Sequence, residues 1–355
     1  MLEGEKMIKK AISKVLCGMG YTVIKTSTME KQKQEYLHQR IEELPIPEVA
    51  ATIGPDVTYY MAWTGVGTDE CMKKDCLPLL AHFYQPIPNL KDLEERNVWD
   101  NISEMRGIDW KPKTYLKNLK DLSIFADECD WPEEQGKNLM QYHTNNNSFS
   151  YGCAIGLHTI IRNNKPKRII EIGSGNSSRV IAAAINLNEQ VDDFSGTEYT
   201  IIDPYSPFED ESLFPKNTKI IRKQVETVDL SIFEELSEND ILFIDSSHVS
   251  KIGSDVNYEI LDILPIIKKG VYIHFHDIHL PYEYPKAYAT TPTFRMFWTE
   301  AYLLQAFLSN NDNFKVFLPM TLLQRVYEEE FRKLFPKGNN ATAWGSGSFW
   351  IERIK

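Results

Sequence analysis

The second half of the chain alternates short hydrophobic runs, rich in β-branched residues, with longer amphipathic runs. The hydrophobic runs predict five strands, at Arg168–Ile172, Tyr199–Asp203, Lys219–Arg222, Ile241–Asp245 and Val271–His276. The amphipathic runs predict helices at Ser178–Leu187, Leu230–Leu236, Ser254–Ile267, Arg295–Leu308 and Leu322–Leu334. This alternation is typical of a parallel sheet whose strands are joined by crossover helices.

Two further hydrophobic runs, Phe314–Leu318 and Ser348–Ile354, predict strands near the end of the chain. Earlier in the chain the pattern is irregular, and residues 7–25 predict a short basic amphipathic helix. We therefore predict a mostly helical, irregular N-terminal region over residues 1–140 and an α/β domain over residues 141–355. The second part is expected to be Rossmann-like, with a seven-stranded sheet and helices on both of its faces.

Composition and charge exclude several classes of function. The 355-residue chain carries a formal net charge of -11, whereas binding to phosphate backbones needs a basic surface. No hydrophobic run reaches the roughly 18 to 20 residues that span a bilayer, and Met1 to Lys10 carry charges where a signal peptide is apolar. Five cysteines, an odd number, favour reduced thiols. We expect a cytoplasmic protein with no nucleic-acid partner and no membrane span, and the sequence predicts no oligomeric state.

A loop of small residues, EIGSGN from Glu171 to Asn176, follows the first predicted strand. Gly173 and Gly175 allow a tight turn and a close approach of the backbone to a ligand. A dinucleotide-binding fingerprint requires Gly or Ala at the position that Ser178 occupies. Glu171, at the start of this loop, suits a cationic cofactor better than a dinucleotide.

Acidic residues also follow the other predicted parallel strands. They are Asp203, Glu226, Asp245 and Asp277. Ligands bind beyond the carboxyl ends of strands in open parallel sheets, so these acids should share one edge. We expect Asp203 to accept the hydroxyls of a ribose, although a turn cap before Pro204 is the alternative. Glu226 lies where the third loop would meet an adenine, or in a solvated turn.

The chain resembles the class I S-adenosylmethionine-dependent methyltransferases, in particular the branch called methyltransferase family 24. The resemblance rests on RIIEIGSGNSSRV, IIDPY, ILFIDSSHVSKIGSDVNYEILDILPIIKKG and VYIHFHDIHLPYEYP, and it extends roughly from Phe83 to Lys355. It implies that S-adenosylmethionine is the cofactor, with its methionine part at the glycine loop and its ribose at the acid after the second strand. The expected cofactor-binding residues are Glu171, Gly173, Ser174, Gly175, Asn176, Asp203, Glu226 and Asp245.

Methyl transfer is an in-line displacement, so the protein must align the acceptor oxygen and remove its proton. His248 follows Asp245 by three residues, which resembles the Asp-x-x-Lys of catechol-type O-methyltransferases, where the lysine is a base beside a metal-binding aspartate. Because the unperturbed pKa of histidine, about 6.5, suits proton transfer near neutral pH, His248 is the expected base. The expected catalytic residues are His248, Asp245, His276 and Asp277.

The resemblance also raises the question of a divalent metal. Catechol-type enzymes use an Asp after the fourth strand and an Asp-Asn pair after the fifth, oxygen donors that suit Mg²⁺. Asp245 and Asp277 match two of these positions, but Ile278 occupies the third and cannot coordinate a metal. His276 could replace it and would shift the preference toward zinc or a transition metal. The sequence favours a metal-free mechanism; if a metal binds, its ligands are Asp245, Asp277 and His276.

The resemblance thus implies a methyltransferase whose acceptor is an oxygen of a small molecule or a saccharide. Two alternatives stay open: a nicotinamide-dependent oxidoreductase on a Rossmann fold, and a catalytically inactive cofactor-binding protein. The segment Tyr142–Gly152, rich in asparagine, is predicted to fold over the cofactor as part of the acceptor pocket. A polar linker is the alternative for this segment.

Overall fold

The computed structural model describes residues 46–191, 194, 196–292, 295–341 and 344–355. The chain divides into two compact units, Met1–Leu93 and Glu94–Lys355. The helix predicted within residues 7–25 lies outside the described residues. Over the described part of the chain, no helix combines the length and the apolar character that a bilayer span requires.

The described part of the first unit is helical, as predicted for the N-terminal region. Its helices are α1, Ile46–Thr64, and α2, Thr68–Met72. Helix α1 ends where Gly65 takes a left-handed backbone, with a φ of 71°, and donates its N–H to the carbonyl of Met61. A third helix, α3, Leu90–Glu95, contains the boundary between the two units.

The second unit is built on a seven-stranded mixed sheet. In chain order, β1 to β7 are Arg168–Ile172, Glu198–Ile202, Thr218–Ile221, Ile241–Ile244, Tyr272–Phe275, Phe314–Pro319 and Phe349–Arg353. Their order across the sheet is β3-β2-β1-β4-β5-β7-β6. The first five strands pair in parallel, and β7 runs antiparallel to both of its neighbours. The α/β fold with seven strands is therefore confirmed.

The described helices of the second unit surround this sheet. After α3 they are α4 to α13, namely Pro112–Leu122, Tyr151–Asn164, Asn176–Val191, Ser231–Glu234, Asp255–Tyr258, Leu264–Ile266, Lys286–Thr290, Glu300–Leu308, Met320–Val326 and Glu328–Leu334. The helix predicted over Ser254–Ile267 contains a π-helical turn, Glu259–Ile263, between α8 and α9. The helix predicted over Leu322–Leu334 is two helices, because the chain bends at Tyr327.

The central strands are buried on both faces. Every residue of β4 is buried, and four of the five in β1 are. Because successive side chains of a strand point to opposite faces, this burial means that both faces of the sheet are covered. It also explains why these strands appear in the sequence as uninterrupted hydrophobic runs.

Residues 94–140 belong to the unit that carries the sheet, so the observed boundary at residue 93 differs from the predicted boundary at residue 140. Helix α4 buries Tyr115, Leu119 and Leu122. The side-chain amide of Asn118 donates to the carbonyl of Phe317 in β6 at 2.9 Å. These three side chains, spaced four and three residues apart, form one apolar stripe that packs beside the sheet.

The register of the strands brings the predicted site residues to one edge. Ile172 of β1 is aligned with Ile202 of β2 and with Ile244 of β4. The next residue of each strand therefore emerges at the same level, and these residues are Gly173, Asp203 and Asp245. His276 follows β5 in the same way, because Phe275 is aligned with Ile244.

Candidate active site

A crevice of about 400 Å³ lies beyond the carboxyl ends of the parallel strands. Its lining includes Gly173, Ser174, Asp203, Glu226, Asp245 and Asp255. Five of these six are residues that the sequence predicted to bind the cofactor. The fold thus brings together acids and a glycine loop that are far apart in the chain.

Glu171 lies behind the glycine loop and does not line the crevice. It is fully buried, and its carboxylate accepts hydrogen bonds from Ser177 at 2.7 Å, from Ser178 at 2.8 Å and from the Tyr199 hydroxyl. Burial raises the pKa of Glu171 to about 7, although these three hydroxyl donors work against the rise. The geometry therefore gives Glu171 the task of holding the first turn of α6 under the loop.

The two glycines of the loop differ in what they require. Gly173 has a φ of 82°, and a Cβ atom there would lie 2.1 Å from the carbonyl oxygen of Asp245. A Cβ atom on Gly175 would meet no atom within 4 Å. Gly173 is thus needed for the turn, whereas Gly175 leaves open space in which a ligand can approach the backbone.

Asp203 makes the turn cap considered for it and also lines the crevice. Its Oδ1 accepts the backbone N–H of Tyr205 at 2.8 Å, which is a turn cap across Pro204. Its Oδ2 accepts the hydroxyl of Ser174 at 2.6 Å, and the residue also lines the crevice. Glu226 lies half-buried in a short 3₁₀ turn after β3 and lines the same crevice.

The segment Tyr142–Gly152 connects the glycine loop to the end of β5. The side-chain amide of Asn176 donates to Oδ1 of Asn146 at 3.1 Å and to Oγ of Ser148 at 2.9 Å. Nε2 of His276 lies 3.2 Å from the carbonyl oxygen of Ser148, and the neighbouring Phe149 ring stacks on His276 with centroids 5.0 Å apart. These contacts make the segment part of the site edge, which a solvated linker would not be.

His248 is buried among three carboxylates. Its Nδ1 lies 2.7 Å from Oε2 of Glu300, and its Nε2 lies 3.4 Å from Oδ1 of Asp245 and 3.8 Å from Oδ2 of Asp277. A carboxylate oxygen therefore faces each ring nitrogen, and this arrangement favours the imidazolium, the form that carries a proton on both nitrogens. Burial disfavours this charge, but Asp245 and Glu300 outweigh it and raise the pKa of His248 to about 10.

A second buried histidine, His276, pairs with Cys153. Burial opposes its charge, but Asp245, Cys153 and Asp277 outweigh burial and raise the pKa of His276 well above its ordinary value. Burial likewise opposes a thiolate at Cys153, yet His276 lowers the pKa of this thiol to about 7. The sulfur also accepts the backbone N–H of Gly347 at 3.4 Å. These neighbours therefore favour the charged form of His276 at the rim of the sheet.

His274, two residues earlier, is a core residue. It is fully buried, and its Nε2 lies 2.9 Å from the hydroxyl of Ser348. Its ring stacks on Phe243 with centroids 4.1 Å apart. Burial lowers the pKa of His274 well below its ordinary value, so it is neutral.

The candidate metal ligands do not form a metal site as they stand. In the parts of the chain that the structure describes, no three His, Cys, Asp or Glu side chains are arranged to hold a metal ion. Nε2 of His248 faces both Asp245 and Asp277, so the imidazolium occupies the position between the two carboxylates. His276, the proposed third ligand, directs its Nε2 at the carbonyl of Ser148.

Aromatic rings form the wall beside His248. The Trp298 ring lies 4.3 Å from the imidazole centroid, and the half-buried Tyr288 ring meets Trp298 at 4.8 Å with an interplanar angle of 72°. Sequence patterns did not identify this wall or Glu300. Glu300 stands 52 residues after His248 and in the first turn of a helix, where an acid is ordinary and carries no functional signal.

A family model and a relative match parts of this chain. Residues 170–278 match the model of a family described as a methyltransferase domain. An uncharacterized protein of Archaeoglobus fulgidus is 37% identical over 168 residues, which are 45% of this chain and 73% of that protein.

Solved structures with lower similarity include two methyltransferases. SAH-bound PaMTH1 of Podospora anserina is 15% identical, with a TM-score of 0.33 over 75% of this chain and 95% of that chain. The O-methyltransferase TomG of Streptomyces achromogenes, which is involved in tomaymycin synthesis and was solved with SAM, is 14% identical. Its TM-score is 0.32 over 67% of this chain and 90% of that chain.

Proposed function

Because the chain belongs to the class I S-adenosylmethionine-dependent methyltransferases, we propose that it methylates a hydroxyl oxygen of a small molecule or a saccharide. Family membership argues against the nicotinamide-dependent oxidoreductase considered from the sequence. The observation that carries the proposal is one edge of the sheet where the glycine loop and Asp203 lie beside the charged group of His248, Asp245 and Asp277. A cofactor-binding protein without catalysis would not need the charged group of His248, Asp245 and Asp277.

The residues of the crevice fit S-adenosylmethionine. Asp203, with an Oδ2 that a hydroxyl already approaches at 2.6 Å, would hold the ribose, and Glu226 lies where the adenine would follow. The open space over Gly175 would receive the methionine part, with Asn176 at its side. When bound, the cofactor supplies its sulfonium methyl group, and the sulfur keeps the electron pair of the broken bond.

The residues of the chain then handle the acceptor oxygen and its proton. Asp277, whose side chain is 25% exposed, takes the proton of the acceptor hydroxyl and can pass it to water. The His248 imidazolium faces the same place and stabilises the negative oxygen. We therefore propose that His248 acts as a fixed cation, a change from the base that its unperturbed pKa suggested, because Asp245 and Glu300 raise its pKa and so favour the protonated ring.

The wall of Trp298 and Tyr288 suits an acceptor that presents a flat ring. Two rings that meet at 72° offer one face and one edge to a planar group. Trp298 packs against His248, and Tyr288 packs against Trp298. Tyr288 is half-buried, so part of its ring is open to a ligand. A phenol or the apolar face of a sugar ring would pack there with its hydroxyl directed at the charged group.

The test has two measurements on the full chain. Calorimetry with S-adenosylhomocysteine should show micromolar binding, and NAD should not bind. A screen with methyl-labelled cofactor over phenols, sugars, nucleotide sugars and carboxylates should label a hydroxyl compound, and mass spectrometry should place the methyl group on oxygen. The absence of S-adenosylhomocysteine binding would refute the cofactor, whereas methylation of carboxylates alone would refute the acceptor class.

A further inference from the structure

Glu300 is a partner of His248 to which the proposed mechanism gives no role in placing the imidazole ring. It is 1% exposed, lies in the first turn of α11, and its Oε2 is 2.7 Å from Nδ1 of His248. Neither Asp245 nor Asp277 approaches the imidazole as closely. The shortest of the three carboxylate contacts of the His248 ring is thus made by a residue from a distant part of the chain.

The backbone of α11 holds His248 as well. The N–H groups of Thr299 and Glu300 donate to the His248 carbonyl at 3.0 Å and 3.2 Å. The hydroxyl of Thr299 also accepts the backbone N–H of Ser250 at 2.8 Å. His248 has a φ of 61°, a left-handed backbone that is uncommon outside glycine and needs such surroundings to persist. Side chain and backbone therefore fix this histidine from the same turn of helix.

The contact determines which edge of the ring is available. Because Glu300 occupies Nδ1, the Nε2 edge is the one directed at Asp245 and Asp277, where the acceptor oxygen is proposed to lie. A ring without the Nδ1 contact could turn about its side-chain torsions and direct Nε2 elsewhere. A carboxylate that only filled space here would be costly, because a buried charge without a partner is strongly disfavoured.

We propose that Glu300 is the positioning residue of the site: it holds the Nδ1 edge of His248 so that Nε2 faces Asp245 and Asp277. The proposal rests on the proposed function, in which His248 serves methyl transfer. It adds Glu300, which lies in a helix, to a site whose other proposed residues follow the parallel strands. It also gives a role to the position of α11, whose first residue lies at the site. Trp298 and Glu300 stand on either side of Thr299, which donates its N–H to the His248 carbonyl.

The first experiment reads the imidazole directly and needs no acceptor. Proton NMR of the full chain with isotope-labelled histidine should show a far-downfield Nδ1–H resonance that disappears in His248→Asn. In Glu300→Gln this resonance should shift upfield or broaden, because a neutral amide replaces the carboxylate. Glu128→Gln is the matched control, since Glu128 makes a 2.9 Å hydrogen bond to His158 that is unrelated to the site. It should leave the His248 resonance unchanged.

The second experiment measures turnover with the hydroxyl compound found in the acceptor screen. We expect Glu300→Gln to lower kcat about 10-fold to 100-fold, as loss of the partner that orients a functional histidine typically does. The dissociation constant of S-adenosylhomocysteine should stay within about twofold, because Glu300 does not line the crevice. In a His248→Asn background the same substitution should change kcat less than about twofold, because its effect passes through the imidazole.

The outcomes separate this proposal from the proposed function. A His248 resonance that is unchanged in Glu300→Gln, or a kcat effect that persists in His248→Asn, would overturn the positioning role. Full turnover of His248→Asn would refute the proposed function of the histidine, whatever the NMR shows about Glu300. If Glu300→Gln does not fold, Glu300→Asp keeps the charge but withdraws it by one methylene, and the same two readouts apply.

Discussion

The hydroxyl of Ser174 donates a 2.6 Å hydrogen bond to Oδ2 of Asp203 and so joins the glycine loop to the end of β2. The same hydroxyl lies 3.0 Å from that of Ser206, which continues the contact into the loop after β2. A ribose that binds Asp203 must share this carboxylate with Ser174. The hydrogen bond therefore couples the shape of the glycine loop to the residue proposed to hold the nucleoside.

Replacing Asp203 by alanine should weaken the binding of S-adenosylhomocysteine. Loss of a hydrogen bond to a charged group costs about 1.5 to 3 kcal/mol, which corresponds to an affinity loss of roughly 10-fold to 100-fold. Calorimetry on the full chain measures it. Asp210→Ala is the control, because this nearby aspartate caps Ser212 and does not line the crevice. Equal affinities for the two variants would contradict the assignment of Asp203 to the ribose.

The two glycines of the loop should respond differently to alanine. Gly173→Ala requires a left-handed alanine and brings Cβ to 2.1 Å from the Asp245 carbonyl, so we expect a loss of at least about 2 kcal/mol in the free energy of unfolding. Gly175→Ala should change that free energy by less than about 1 kcal/mol, because its Cβ would meet nothing, but it should lower cofactor affinity. Urea unfolding and calorimetry measure both quantities, and matching stability losses would refute the distinction.

Two truncations test the boundary between the units. A chain that starts at Leu90 keeps α3 whole and should unfold cooperatively and bind S-adenosylhomocysteine. A chain that starts at Gln141 loses the buried Tyr115, Leu119 and Leu122 and should neither unfold cooperatively nor bind. Circular dichroism melts and calorimetry compare them. A stable, binding-competent chain from Gln141 would restore the boundary that the sequence predicted.

The strand ends were predictable because central strands of a covered sheet need continuous hydrophobic runs, and the acids that follow them stand out. Helix α5 was not predicted, because complete burial removes the pattern by which a surface helix is recognised. Its residues Tyr151 to Arg162 are all buried, so this stretch has no solvent-exposed face to produce a helical period of polar residues in the sequence. The glycine loop was recognisable from its residues, but the burial of Glu171 behind it appears only when Ser177 and Tyr199 are placed around it.

The charge of His248 shows where sequence reasoning ends. A lone histidine has an ordinary pKa near neutrality, and that value suggested a base. Glu300 lies 52 residues away in the chain, yet it is the nearest carboxylate to the ring. Because charge interactions depend on distances that only the fold determines, the residue type was predictable and its protonation state was not.

Acid should destabilise the second unit partly through Glu128. Burial raises the pKa of this carboxylate, but His158 and Arg162 outweigh burial and lower it to about 2. A depressed pKa stabilises the folded state at pH values above the ordinary pKa of 4.5, and this contribution is lost as the pH falls toward 2. We expect it to be about 2 kcal/mol. Urea unfolding at several pH values should therefore show a steeper acid loss in the native chain than in Glu128→Gln, and parallel curves would contradict the pairing.

Removal of divalent metals should leave methyl transfer intact. The His248 imidazolium lies between Asp245 and Asp277, at 3.4 Å and 3.8 Å, and supplies the positive charge that a metal would supply there. We therefore expect EDTA to leave the turnover of the screened acceptor within about twofold, whereas His248→Asn should lower it by roughly 10²-fold or more. The asparagine variant also removes the imidazolium from between the two carboxylates. Adding Mg²⁺ or Mn²⁺ to this variant therefore tests whether a metal can supply the missing positive charge. Turnover of the native chain that EDTA abolishes and either metal restores would make Asp245 and Asp277 metal ligands, and it would require the imidazole to leave its position between them.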